Sequence, residues 1–474
     1  MLKKLKRLHL TATPANGKPE SKRTRLSSIA PVAAAVGAAL LAVGYFQTAS
    51  ASATAVYLGQ AAAGTGDGSS CANARAASWF NSASNWGTGS GQIGAGTTVY
   101  LCGTVSTSLT FQGSGAAGSP VTLDGTGATY NGGISTGNNL SWWRVQNVTW
   151  STSYTGYLVT VVGGSNGVIN HNTADNIQHG IFLSQYNGAV IPSNITVSNN
   201  WLRQTAADLG NTQHDVITTE GSTNVVIDGN YLELRTGGAG DQAHNDGIQT
   251  YQKGGASGGP PSNWTIRYNE IVMNSAATND RSWMMLENLK GTINIHDNLL
   301  LGLQGATNAN GIAADSNDPG VVFNIFNNTF VSKPNASNNQ LNLYSPGVAN
   351  LRNNIFSATW QTMLSGDMTV NRDHNLWSGS NTPSCSGLAG ELCGVDPLFT
   401  DLTNNNFTPA DNSPILLAGA NLGTTFGKVL AKGATWPQPL ELNRSTTANW
   451  TLGALSNVAS AVSLPAPTSL RVVN

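Results

Sequence analysis

Charge is scarce in this sequence. Of 474 residues only 10% are Asp, Glu, Lys or Arg, and 23 basic residues set against 24 acidic ones leave a formal net charge of −1. That balance excludes a wholly basic nucleic-acid binder, and the lysines and arginines of the later chain form no continuous stripe for a phosphate backbone to follow. Cysteine is rarer still, with 4 residues, no CxxC spacing and no accompanying cluster of histidines, so a zinc site lacks its ligand set. Helical periodicity is missing too. Short runs rich in Val, Ile and Thr alternate apolar with polar residues, which counts against helical repeats.

What is present is an ordered, glycine-rich chain, 54 Gly in all and 40% hydrophobic, long enough to bury a large core. The first 28 residues carry Lys3, Lys4, Lys6, Arg7, Lys18, Lys22, Arg23 and Arg25. "IAPVAAAVGAALLAVGYF" follows, then the small residues of "QTASASA". Residues 1–53 are therefore expected to be a secretory signal cut after Ala51 or Ala53, or else an uncleaved anchor. Export to the extracellular space, periplasm or cell surface makes disulfides plausible for the two cysteine couples, Cys71 with Cys102 and Cys385 with Cys393. With the signal removed, no stable membrane association is expected, and the chain is expected to be a monomer.

From residue 140 a phrase recurs: alternating apolar residues, a polar pair, an asparagine, more apolar residues. It is seen in "NITVSNNWL", "NVVIDGNYLEL", "TINIHDNLLL" and "VVFNIFNNTFV", among others. The aligned asparagines are Asn172, Asn200, Asn230, Asn269, Asn298, Asn328, Asn354 and Asn375, separated by 28, 30, 39, 29, 30, 26 and 21 residues. Such spacings are too short for domains and fit one coil of a solenoid, each coil holding two or three short strands. Asparagines repeated at one corner can bond their amides along the stack and tolerate the left-handed backbone that a tight corner needs.

On this repeat, over roughly residues 125–380, the chain resembles the right-handed parallel β-helix superfamily, often called pectin-lyase-like. The resemblance implies an all-β solenoid of the secreted, polysaccharide-active type. "AVYLGQAAAGTGDGSSCANA" looks like the opening segment of secreted members and "NNNFTPADNSPILLAG" like their closing segment. The expected organisation is an N-terminal cap with first coils at 54–125, β-helix repeats at 126–380, C-terminal coils and cap at 381–463, and a tail at 464–474. Solenoid ends need capping because an open coil presents unpaired strand edges.

Residues 91–202 hold three charged side chains, Asp124, Arg144 and Asp175, whereas residues 203–290 hold sixteen in 88 positions. Aligning "QHGIFLS", "HDVITTE", "NDGIQTY" and "RSWMMLE" predicts one column of His179, Asp215, Asp246 and either Arg281 or Ser282. A second column, five places on, holds Glu220, Tyr251, Glu287 and Asp315. Neighbouring coils lie about 4.8 Å apart, so Asp215 and Asp246 are expected to be adjacent carboxylates on the wall of a surface cleft. Two such acids cannot both ionise cheaply: one keeps its proton or a cation neutralises them.

Two chemistries follow. In the first, Asp215, Asp246 and Asp241 hold Ca²⁺ against a uronate carboxyl, and His214, His244, Lys253 or Arg281 removes the C5 proton in a β-elimination. Arg203, Arg235 and Lys290 hold the polyanion; Gln249, Tyr251, Glu220, Glu287 and Trp283 line the substrate. In the second, Asp215 and Asp246 form the carboxylate pair of a hydrolase, tuned by His179 or His244. The double aspartate and GHG of pectinase hydrolases are absent, with only "QHG" at 178–180; so are the WiDH segment of one pectate lyase group and the DPHD of alginate epimerases. Each residue also has a structural alternative: Asp246 before Gly247 can cap a turn, and the tryptophans can belong to the core. An acidic-polysaccharide lyase is the first expectation, with a hydrolase second and a non-catalytic adhesion protein third.

Overall fold

The computed structural model describes residues 52–458 except 152–153, 186–189, 205–214, 235–244, 253–258, 274–280, 304–308, 333–338, 358–361 and 380. The expected signal or anchor over residues 1–51 and the tail from 459 onward lie outside the described residues.

Among the described residues there is no α-helix, and the strands form three long parallel sheets of 13, 12 and 10 strands. A full coil gives one strand to each: Ser193–Ser198 to the first sheet, Trp201–Gln204 to the second and Ile217–Thr219 to the third. Parallel strands joined by crossovers follow the right-handed course, and the chain is a right-handed parallel β-helix. Coiling starts early, with Ala55–Gly59 in register with Thr98–Leu101 of the first sheet. Phe80 packs against Trp86 at 4.9 Å and Phe111 at 5.2 Å at this N-terminal end. The Cys71–Cys102 and Cys385–Cys393 disulfides both form, with Cα separations of 5.5 and 5.9 Å.

The eight aligned asparagines stand in one buried ladder at the corner between first and second sheets. Asn200 Nδ2 donates to Asn230 Oδ1 at 2.9 Å, Asn230 to Asn269 at 2.9 Å and Asn269 to Asn298 at 3.0 Å, and the same oxygens take the backbone N–H of the preceding ladder residue. Asn375 ends the ladder by donating to Glu391 Oε1 at 2.7 Å. One expectation is corrected. The left-handed conformation belongs to the residue before each ladder asparagine, such as Asn199, Tyr268 and Asn327, while the ladder residue itself serves the hydrogen bonds. A second asparagine column went unread in the sequence: Asn194 donates to Asn166 at 3.3 Å and Asn224 to Asn194 at 3.1 Å, at the corner entering the first sheet.

Beyond the last coil the chain makes two antiparallel pairs, Phe399–Asp401 with Asn406–Pro409 and Lys428–Leu430 with Glu441–Asn443. This segment runs back along the helix. Gly453 N–H donates to Asn353 O at 2.7 Å, Arg444 reaches Asp297 at 2.8 Å and Gln438 N–H reaches Gly229 O at 3.1 Å.

Candidate functional site

The third sheet realises both expected columns. Ile217 pairs with Ile248 and Ile248 with Met284, all three facing the core, so Thr218, Gln249 and Met285 between them face outward. Two places earlier Asp215 and Asp246 are neighbours: Asp246 N–H donates to Asp215 Oδ1 at 2.9 Å. Asp246 pairs in turn with Ser282, so Ser282 and not Arg281 continues the column; Arg281 pairs with Asn245. Glu287 pairs with Asp315, and Thr219, Thr250 and Leu286 align just before Glu220, Tyr251 and Glu287, which fixes the second column.

The surroundings of the two aspartates differ from an open cleft wall. Asp246 is 0% exposed and Asp215 4%. Asp215 Oδ2 accepts from the Thr218 hydroxyl at 3.1 Å, and Asp246 Oδ1 accepts the Ser282 N–H at 2.7 Å. Each carboxylate thus receives a backbone N–H from the next coil. Gly247 is required beside them, since a Cβ there would come within 2.6 Å of Trp283 O and 2.8 Å of an Ile271 methyl.

Around them the outward face carries rings and acids together. Tyr157 heads the aspartate column, paired with His179, and its ring lies 4.6 Å from the imidazole and 4.8 Å from Phe182. Glu220 is 6% exposed; it accepts from Ser184 at 2.9 Å and from the Tyr251 hydroxyl at 3.4 Å. Burial first, then the charges of Asp215 and Glu220, push the Tyr157 phenol above its ordinary pKa. Tyr251 shifts the same way, through burial and then Glu220. Both phenols are therefore protonated donors at neutral pH. Tyr157, Phe182 and Ser184 were missed in the sequence because they belong to coils almost free of charge, although the segment that aligned His179 contained Phe182 and Ser184.

Other expected residues stand elsewhere. Trp283 does not face substrate: it is fully buried, its indole N–H donating to Leu301 O at 3.1 Å and its ring 6.0 Å from Phe330. Trp264 is likewise core. Arg203 is on the second sheet, bonded through Nη2 to Asp175 at 2.6 Å. Lys290 is exposed and bridges to Ser262 at the turn leading into the first sheet. Gln249 is buried on the outward column, and Glu287 is half-buried. His214, Arg235, Asp241, His244 and Lys253 lie outside the described residues, as does the side chain of Arg281. Among the described residues the one trio of metal-type ligands within 4.8 Å is Cys385, Glu391 and Cys393, where the two sulfurs form a disulfide. The expected Ca²⁺ set of Asp215, Asp246 and Asp241 includes a residue outside the described ones.

No protein-family model and no curated protein matches the sequence. The solved structures similar to it include three of low identity. Pectate lyase Pel9A is 14% identical with a TM-score of 0.43, over 78% of this chain and 92% of that one. XylC, solved with xylose, is 9% identical with a TM-score of 0.43, over 73% and 87%. The surface protein and adhesin PfbA of Streptococcus pneumoniae is 11% identical with a TM-score of 0.32, over 66% and 93%. None of the three likenesses bears on the reaction of this chain.

Proposed function

For a chain whose fold is that of the pectin-lyase-like right-handed β-helices, we propose exported action on a polysaccharide, bound along the outward face of the third sheet and cleaved there. The observation that carries this is the meeting of Tyr157, His179, Phe182, Glu220 and Tyr251 on consecutive coils. Ring faces pack against the C–H faces of sugars, and buried acids and amides orient hydroxyls. A stack of equivalent positions about 4.8 Å apart suits a polymer lying along it.

The chemistry proposed first is β-elimination from a uronate-containing chain. His179 takes the C5 proton, and the protonated phenol of Tyr157 or Tyr251 gives one to the leaving oxygen. Asp215 and Asp246 then act as positioning residues, their carboxylates committed to backbone N–H groups. A hydrolase on a neutral polymer is the second reading. Glu220 and Glu287, two coils apart on either side of Tyr251, are the carboxylate pair of that reading.

Polygalacturonate, alginate and neutral xylan, each incubated with the full chain, separate these outcomes. Rising ultraviolet absorbance of unsaturated ends, abolished in His179→Ala and reduced at least tenfold in Tyr251→Phe, is expected for elimination. New reducing ends without that absorbance transfer the function to the Glu220 and Glu287 pair. Absence of both products on every polymer removes the catalytic proposal.

A further inference from the structure

The second sheet carries a concavity that the third-sheet site does not use. Trp201, Tyr231, Glu270 and Leu299 occupy one register column on four successive coils. The returning C-terminal segment lies beside them and completes an open cavity of about 440 Å³, with Asn406, Thr408 and Trp436 on the far wall. That wall is anchored: the Trp436 indole N–H donates to Tyr268 O at 2.7 Å. The rings of Trp201 and Tyr231 stack at 3.9 Å with 11° between planes, and the Tyr231 hydroxyl donates to Glu233 Oε2 at 2.7 Å.

Glu270 is the unusual member. Its half-buried carboxyl lines the cavity and takes no hydrogen bond from any described residue. Burial first, then the charge of Glu233, push it up to about 7. A half-buried carboxyl with no hydrogen bond from a described residue keeps acceptor and donor capacity for a ligand that offers hydroxyls. The remaining lining divides in the same sense: Leu299, Phe407 and Leu455 are apolar, while Asn406, Thr408 and Thr435 bear donors and acceptors. The volume falls in the range of small-molecule sites, roughly 300–1,000 Å³. Two adjacent carboxyl groups repel an anion, and no Lys or Arg lines the cavity among the described residues.

We propose that the cavity between the second sheet and the C-terminal segment binds an uncharged sugar residue, as a site separate from the third-sheet face. The apolar floor and ring edges take the C–H surface of the sugar, and Glu270 with Asn406 and Thr408 takes its hydroxyls. Binding here needs no bond cleavage, and the proposal stands whether or not the third sheet is catalytic.

Glucose, galactose, mannose, xylose and their β-1,4-linked oligomers are titrated into the full chain, followed by tryptophan fluorescence and calorimetry. Saturable binding of at least one sugar is expected, weakened at least tenfold in Glu270→Ala and in Trp436→Phe, with melting curves confirming that both variants are folded. Asp215→Asn, on the third sheet, should leave that affinity within twofold of wild type. Three results overturn the proposal: no saturable binding across the panel, unchanged affinity in both folded cavity variants, or loss of binding in Asp215→Asn with the cavity variants unaffected. Absence of polymer cleavage by the wild-type chain, with sugar binding intact, would instead count against the third-sheet function alone.

Discussion

The carboxylate of Asp215 receives hydrogen bonds from two directions, the Asp246 N–H at 2.9 Å and the Thr218 hydroxyl at 3.1 Å. Alanine there orphans a buried N–H, which costs about 1–3 kcal/mol; asparagine keeps one oxygen for the N–H and offers an amide to the Thr218 oxygen. Urea denaturation is therefore expected to show Asp215→Ala destabilised by that amount and Asp215→Asn by less than about 1 kcal/mol. Equal losses in both would show that the charge, and not the acceptor, matters. Glu270 makes a different residue-scale prediction. Its folded pKa of about 7 lies above the ordinary 4.5, so between those values the folded state binds more protons than the unfolded state. Stability from this group is fully present below pH 4.5 and is lost as pH rises through 7. Glu270→Gln removes the slope, so the variant should gain on wild type by about 1–3 kcal/mol between pH 4.5 and pH 8, discounted for partial exposure. A constant difference across that range in pH-resolved melts would contradict the raised pKa.

At the scale of elements, the C-terminal segment is held by a buried ion pair. Arg444 Nη2 meets Asp297 Oδ1 at 2.8 Å with side chains 3% and 0% exposed, and His296 Nδ1 lies 2.9 Å from the other oxygen of Asp297. Arg444 also donates to the carbonyls of Lys428, Thr451 and Gly453. Removing one partner strands a buried charge, so Arg444→Ala should destabilise by about 3–5 kcal/mol in chemical denaturation. None of this was legible in the sequence, because Arg444 and Asp297 are 147 residues apart and Trp436 and Tyr268 are 168 apart. The coils were legible for the opposite reason. Each repeats the same local demand, an asparagine at the corner and alternating apolar residues facing inward, so the pattern recurs at every turn. The candidate sites fall between these cases. Register aligned Asp215 with Asp246 and Glu220 with Tyr251, but burial comes from what covers a strand, and alternation does not report it. Glu233 and Glu270 carried the same density of charge as the third-sheet acids, yet only the returning segment turns their column into a cavity.

On the scale of the whole molecule, a solenoid stacks coils that touch only their neighbours, so its stability is close to a sum of nearest-neighbour terms and distant coils unfold with little coupling. This chain departs from that limit. The segment after residue 398 bonds to Asn353, Thr329, Asp297, Tyr268 and Gly229 in turn, binding separate coils to one strap. Among the described residues, the coils before residue 200 make no such hydrogen bond with it, and they rest on the disulfide at Cys71–Cys102 and the aromatic packing of Phe80, Trp86 and Phe111. Deleting residues 399–474 should therefore weaken the middle and late coils selectively. The expected outcome is a broadened or two-step urea transition in place of a single one, with amide exchange accelerated at Ile266, Ile295 and Leu351 while interior positions of the early coils, such as Leu123 and Val145, keep their protection. A truncated chain that still unfolds in one transition, with uniform protection, would show that coil-to-coil stacking alone supplies the cooperativity.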